Sequence, residues 1–518
     1  MLPRFNIPAR GPAENISLDV KPKQVEAWLS RLPLSNTAQA AEEMADYLDI
    51  LIQMELSHDI RVKVVEKLGP IVEDIVGSLH EQFGAVMLPL PPRQLHNAEL
   101  AQRLLTATAN SYKMLTLDWL KRRFHLFGGN PVPLYLQRIL LSMQAVIDIS
   151  YETHRPIPEG LWVDLHQTFN YAMRSGLKDA VPEGGSRMVS LENIYKSCLL
   201  LALADPYRFP QIELQWTNDI ISRFSNLATI FPAEESTKGQ AGLFIIEIHA
   251  DAPPRPLARE AHPMNPRWDL LLNTTELAKH LALISTLIKG KESMDRLDLP
   301  EAARDPSYAS MLRRLKLNWG ASLQRQAQRR LSPRGRDFEV CFGLQTLYQC
   351  VTHMANRNNL LENLEPMPAT VTCVAENDSM GGLALKHNGR GALQLRVGDV
   401  VGLRQANDNA WGVGIVRWLR VPNASDVHFG VQLMAPQAQA VQVRRPESGR
   451  QWPALMLQSG LANKQSMLMV LPGCFSPNQS AEIVAAKTAQ SMLLNSRVDS
   501  TPSVELYRLG TSPEAGEE

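Results

Sequence analysis

The sequence predicts a multidomain chain of the α plus β class, with an all-helical N-terminal region, a mixed middle module, an antiparallel β-barrel and a second small β-rich module. Three observations carry this. The chain has 518 residues, more than one ordinary core holds, since domains run about 100 to 200 residues. From Val20 to about Ile230 apolar residues recur at helical spacing. After Pro368 short β-branched runs alternate with Asn, Asp and Gly turns. The expected boundaries are 1–230 helical, 231–320 mixed α/β or helical, 321–435 β-barrel, 436–510 second β module and 511–518 disordered tail.

In the first region Ala40, Ala41, Met44, Tyr47, Leu48 and Leu51 make one helical stripe, and Leu104, Leu105, Tyr112, Leu115 and Trp119 another. Pro33, Pro70, Pro92, Pro131, Pro156, Pro158, Pro206 and Pro210 are expected at helix boundaries, where a missing N–H costs least, and about eight helices fit between them. Near Phe231 the texture changes. The polar PAEESTKGQ leads into the strand-like run Gly242 to Ile248 and then a proline-rich stretch. A second strand is expected at Trp268 to Leu272, followed by a helix opened by Asn273 or Thr274 and carrying Leu277, Leu281, Ile284, Leu287 and Ile288. The barrel strands are read at Thr370–Val374, Gly382–Leu385, Val400–Leu403, Gly412–Trp418 and His428–Leu433. Further runs, from Ala440–Val443 to Val504–Tyr507, make a second barrel or an extension of the first.

Bulk properties narrow the function. Lys plus Arg and Asp plus Glu both total 53, so no global field attracts nucleic acid or an anionic membrane. The N-terminus lacks a signal-like apolar run and no later stretch reaches the 18 or so apolar residues of a span, so a cytoplasmic protein is expected. The five cysteines never pair as CxxC, which points to reduced packing residues. His249, Asp251 and His262 lack ligand spacing, so no metal is expected. P-loop, nucleophile-elbow, HExxH and dinucleotide signatures are missing, so no enzyme is expected.

The sharpest local bias lies between Leu312 and Arg336, with eight basic residues and no acidic one. It ends in Arg330-Leu331-Ser332-Pro333-Arg334 and is followed, after an insertion containing Gln345 to Glu365, by the turn Asn377-Asp378-Ser379-Met380-Gly381-Gly382. Arginine forks bind phosphate bidentately, read guanine O6 and N7, or stack on the ring. An Asn-x-Ser turn with glycines offers an amide, a hydroxyl and approachable backbone N–H groups.

These residues resemble the PilZ domains, whose RxxxR segment and (D/N)xSxxG turn read cyclic di-GMP at the mouth of a six-stranded barrel. The matches are Arg330 and Arg334, then Asn377, Ser379 and Gly382; Arg325 and Arg329 also satisfy RxxxR, and the insertion is longer than the family's usual gap. Pro333, which keeps Ser332 out of a helix, favours the pair Arg330 and Arg334. The resemblance implies a cyclic di-GMP receptor without further cofactor, with Arg325, Arg329, Arg336 and Gly381 as additional contacts. It also implies a relay through the helical region to a protein partner, in bacterial motility or biofilm regulation. Alternatives are an interaction scaffold with a degenerate barrel, or nucleic-acid binding by 313–336. Trp411 and Trp418 are expected in the core, and Arg396 to Asp399 as an ordinary strand-to-strand turn.

Overall fold

The computed structural model describes residues 3–8, 18–122, 129–185, 187–233, 240–257, 265, 267–290, 294–320, 330–331 (backbone only), 335–358, 366–379, 381–387, 389, 393–406, 408–423, 426–447, 449–458, 466–485 and 488–511. The helical region comprises α1 (Pro22–Leu29), α2 (Thr37–Gln53), α3 (His58–Phe83), α4 (Pro92–Leu120), α5 (Val132–Glu152), α6 (Leu161–Arg174), α7 (Leu191–Leu203) and α8 (Gln211–Phe224). α4 lies centrally, packed on α2, α3 and α5, and α5 in turn carries α6 and α7. Pro92 opens α4, and Pro131 and Pro210 precede α5 and α8. Pro70 does not bound a helix: it lies inside α3. The cost of an interior proline, about 3 kcal/mol, is offset there by burial of Val64, Val65, Leu68, Val72, Ile75 and Leu79. α5 is apolar and long enough to cross a bilayer by composition, but most of it is buried within the fold.

The middle module starts with β1 (Thr229–Pro232), β2 (Leu243–Ile246), β3 (Arg255–Pro256) and β4 (Leu270–Asn273), an antiparallel sheet in the order β1-β4-β2-β3. α9 (Thr275–Lys289) and α10 (Pro306–Gly320) complete it. Asn273 turns the chain into α9, its side chain accepting the Thr275 N–H at 2.9 Å one residue ahead of the N-cap Thr274. Trp319, fully buried, donates its indole N–H to the Leu200 carbonyl at 3.0 Å, stitching α10 to the helical region. Arg314 is turned inward in the same place, paired with the buried Glu213 and lying 4.5 Å over the Phe209 ring. Arg314 is therefore withdrawn from the solvated face of α10.

The first barrel uses β5 (Arg330–Leu331), β6 (Asp337–Phe342), β7 (Val371–Ser379), β8 (Gly382–His387), β9 (Val400–Arg404), β10 (Gly412–Arg420) and β11 (Val427–Ala435), with α11 (Leu344–Asn358) inserted between β6 and β7. β7-β6-β9-β10-β11-β8 closes on itself, and β5 extends the β6 edge along β7. The turn Arg396 to Asp399 is local, its Asp399 carboxylate accepting the Arg396 N–H at 2.7 Å with Gly398 at φ +97. A second, separate barrel closes as β12-β13-β14-β17-β16-β15, from β12 (Gln437–Arg444), β13 (Gln451–Gln458), β14 (Met467–Val470), β15 (Gln479–Ala485), β16 (Thr488–Ser500) and β17 (Glu505–Thr511). α11 is wedged between the barrels, where Leu347 and Cys350 share a buried cluster with Trp411, Val413, Ile415, Leu455 and Leu506.

The first barrel also shares a core with the helices. Phe338, Leu385, Val416, Leu419 and Phe429 belong to the cluster that contains Leu104 and Leu199. The joint is pinned by backbone: His154 donates from Nδ1 to the Leu419 carbonyl at 3.0 Å, Val421 N–H donates to the His154 carbonyl at 2.9 Å, and Arg420 lies 4.6 Å over Tyr207.

Candidate functional site

The signature turn is the β7–β8 hairpin. Ser379 pairs with Gly382, Asp378 with Leu383 and Asn377 with Ala384. Cross-strand partners share a face, and alternate β8 residues Gly382, Ala384 and Lys386 oppose the face of the fully buried Leu385. Asn377, Ser379 and Gly382 therefore lie together on the outside of the barrel.

A bulge produces this arrangement. Ala375, buried, sits opposite the inward Leu385, and strict alternation would turn residues 377 and 379 inward too. The register shifts between Ala375 and Asn377, so Glu376 is the extra residue and the two motif side chains swing outward. Glu376 is itself held by His428 at 3.1 Å.

The arginine segment reaches the same strand. In backbone register Arg330 stands opposite Asp378 and Leu331 opposite Asn377. Arg336 forms an ion pair with Asp378 and lies 6.0 Å over the Phe338 ring. Arg325, Arg329 and Arg334 lie outside the described residues. Ser379 Oγ donates to the Gly382 carbonyl at 3.3 Å, and the Gly381 carbonyl accepts from Leu433 N–H at 3.0 Å. A Cβ on Gly382 would stand 2.7 Å from the Val431 carbonyl oxygen, so only glycine lets β8 approach β11 there.

The outer face continues across β11 and β10. Gly382 pairs with Gln432 and Ala384 with Gly430. On β10 a second register shift, between Val416 and Trp418, makes Arg417 extra and sets Trp418 opposite Gly430. The indole lies on that glycine, since a Cβ there would meet Trp418 Nε1 at 1.8 Å. Trp418 is thus partly exposed on the outer face, unlike the core position expected for it; Trp411 is buried as expected. Arg417 donates to Gln432 Oε1 at 2.7 Å and pairs with Asp499 of the second barrel. The result is a low floor of Gly382, Ala384 and Gly430, bordered by Asn377 and Ser379 on one side and by Arg417 and Trp418 on the other. Three strand spacings make it about 14 Å wide.

Sequence reasoning missed Gln432, Arg417 and Trp418. The available signal was Gly430 inside an otherwise bulky strand, which marks close approach of another group. The charges at the rim are paired, Lys386 with Asp426 at 3.3 Å. Asp426 is held below the usual carboxylate range by its Asn423 hydrogen bond and then by Lys386. Among the described residues no cluster of His, Cys, Asp and Glu has the makings of a metal site. Asp251 instead caps α6, accepting the N–H groups of Gly160 at 2.6 Å and Trp162 at 3.0 Å.

A closed six-stranded barrel with this hairpin on its outer face defines a PilZ domain, and the chain carries one: a family model described as cyclic-di-GMP receptor FimW, middle PilZ domain, matches residues 351–440. A second model, cyclic-di-GMP receptor FimW, N-terminal domain, matches residues 23–234, so the resemblance reaches well beyond the barrel. The chain is similar to the cyclic-di-GMP receptor FimW of Pseudomonas aeruginosa, at 24% identity across 95% of this chain and 91% of that protein. The PilZ match begins within α11, so β5 and β6 precede it.

Proposed function

We propose that the chain is a cyclic di-GMP receptor of the cytoplasm, not an enzyme, and that the outer face between β7 and β10 is its nucleotide platform. The observation that carries this is the bulge at Glu376, which turns Asn377 and Ser379 outward on the same strand to which Arg330 and Leu331 are paired. Arg330 and Arg334 would take phosphate and guanine edges, Asn377 and Ser379 would meet polar atoms of the ligand, and Gly382 would keep the floor low. Trp418 adds a ring on which a purine can stack.

β10 supports a relay to a partner of the helical region. Trp418 is followed directly by Leu419, Arg420 and Val421, the residues that His154 and Tyr207 hold. A ligand that reorders Trp418 would load that joint, and the arginine segment closing over the barrel would fix one of two arrangements.

Isothermal titration of the full chain with cyclic di-GMP tests the receptor reading. Micromolar or tighter binding is expected, lost in Arg334→Ala and in Arg330→Ala. Absence of heat at high ligand concentration removes the receptor and leaves a ligand-independent scaffold. Hydrogen exchange with and without ligand tests the relay, which requires changed protection around His154 and Leu419.

A further inference from the structure

α3, α4 and α5 leave between them a cleft of about 570 Å³. Its openness is built into α3. Gly69 and Gly77 both line it, although glycine is the poorest helix former after proline. A Cβ at Gly77 would meet nothing within 4 Å, and one at Gly69 only the Tyr112 hydroxyl at 3.9 Å. Packing would accept alanine at both, and the helix would be firmer for it.

The walls combine apolar surface from Val72, Val76, Leu105 and Leu141 with the carboxylate of Asp148. Asp148 Oδ1 is shut off from water and has no hydrogen-bond partner. The side chain's one hydrogen-bonding neighbour among its electrostatic partners is Asn218 of α8. Glu152, one turn on along α5, is bonded by His80 of α3 at 2.7 Å, and Arg138 is bonded to Glu73 at 2.8 Å. Arg187 enters from the loop before α7. With His80 neutral, the lining carries three carboxylates, Glu73, Asp148 and Glu152, against two guanidinium groups, Arg138 and Arg187. Once Asp148 is ionised and His80 has lost its proton, the lining is short of one positive charge.

We propose that this cleft binds a small organic cation, an amine or guanidinium on an apolar body, whose charged end faces the Asp148 carboxylate while the body lies along Val72, Val76 and Leu141. The site shares no residue with the nucleotide platform. Burial, and then the like charge of Glu152, push the Asp148 carboxyl up to about 7, with Arg187, Asn218 and His80 acting in the opposite sense. A bound cation needs that carboxyl ionised. Binding therefore expels the proton that Asp148 carries below about pH 7, and affinity falls about tenfold between pH 8 and pH 6. His80, raised by its Glu152 hydrogen bond, gains charge in the same direction and adds to the loss.

The test is calorimetric titration of the full chain with agmatine and with tyramine, beside the neutral 4-ethylphenol. A cationic probe is expected to bind at pH 8, about tenfold more weakly at pH 6, while 4-ethylphenol does not bind. Asp148→Asn abolishes this without changing cyclic di-GMP titration. Gly77→Leu, which fills the cleft and favours the helix, blocks the probe in a chain that melts no lower than the parent. Equal binding of the neutral probe, unchanged binding in Asp148→Asn, or no saturation by either cation below about 10 mM overturns the proposal.

Discussion

Two adjacent glycines of the hairpin should respond oppositely to the same methyl group. In Gly382→Ala the new Cβ would stand 2.7 Å from the Val431 carbonyl oxygen, a backbone atom that cannot rotate away. β8 and β11 must part by several tenths of an ångström, straining the Gln432 pairing and the 3.0 Å bond from Leu433 N–H to Gly381. Overpacking of this kind costs about 1–3 kcal/mol. If ligand binding requires the native hairpin, cyclic di-GMP affinity falls as far as the strain depopulates it, by at most about 5- to 150-fold. In Gly381→Ala the Cβ meets nothing within 4 Å. Restricting the unfolded chain there is neutral, or stabilising by up to about 1 kcal/mol. Urea denaturation followed by tryptophan fluorescence, with calorimetric titration of each variant, measures both effects. Equal behaviour of the two variants, or an unaffected Gly382→Ala, would refute the close-approach argument.

Other outcomes follow from the same geometry. Trp418→Ala should weaken cyclic di-GMP binding by about 1–3 kcal/mol while leaving the barrel folded by circular dichroism, whereas a purely structural tryptophan would lower the melting temperature and spare affinity. Burial pulls His154 and His166 down to about 4, so the unfolded chain binds more protons between about pH 6.5 and pH 4 and stability falls on acidification through that window. Each histidine accounts for at most about 3 kcal/mol, measurable as a lower urea midpoint at pH 5 than at pH 7. Arg61, fully buried, donates to the Leu51 carbonyl at 2.6 Å and the Met54 carbonyl at 2.7 Å and faces Asp118 at 3.5 Å. Arg61→Met strips the end of α2 of its donors and leaves a carboxylate behind, at about 3–5 kcal/mol, read by thermal denaturation of the full chain.

Much of the architecture was legible because it rests on local pattern. The stripe through Met44, Leu48 and Leu51 defines α2 whatever packs on it, and Asn273 turns the chain into α9 through a bond to its neighbour Thr275. Pro70 misled, because burial along α3 outweighs a local penalty that sequence alone suggests is decisive. The arginine segment was recognisable by charge, yet Arg314 is withdrawn from it by Glu213, a partner from a distant helix.

The sequence by itself determined the helical and barrel regions, the hairpin at Asn377 and the glycines within it, since turn chemistry and apolar periodicity are properties of neighbouring residues. Only the tertiary structure decided which way the hairpin's side chains point. The bulges at Glu376 and Arg417 depend on hydrogen bonding to β8 and β11, and one residue of register exchanges the inside of a barrel for its outside. The position of Trp418 over Gly430, and the cleft below Asp148, are likewise meetings of segments far apart in the chain. No local spacing encodes them.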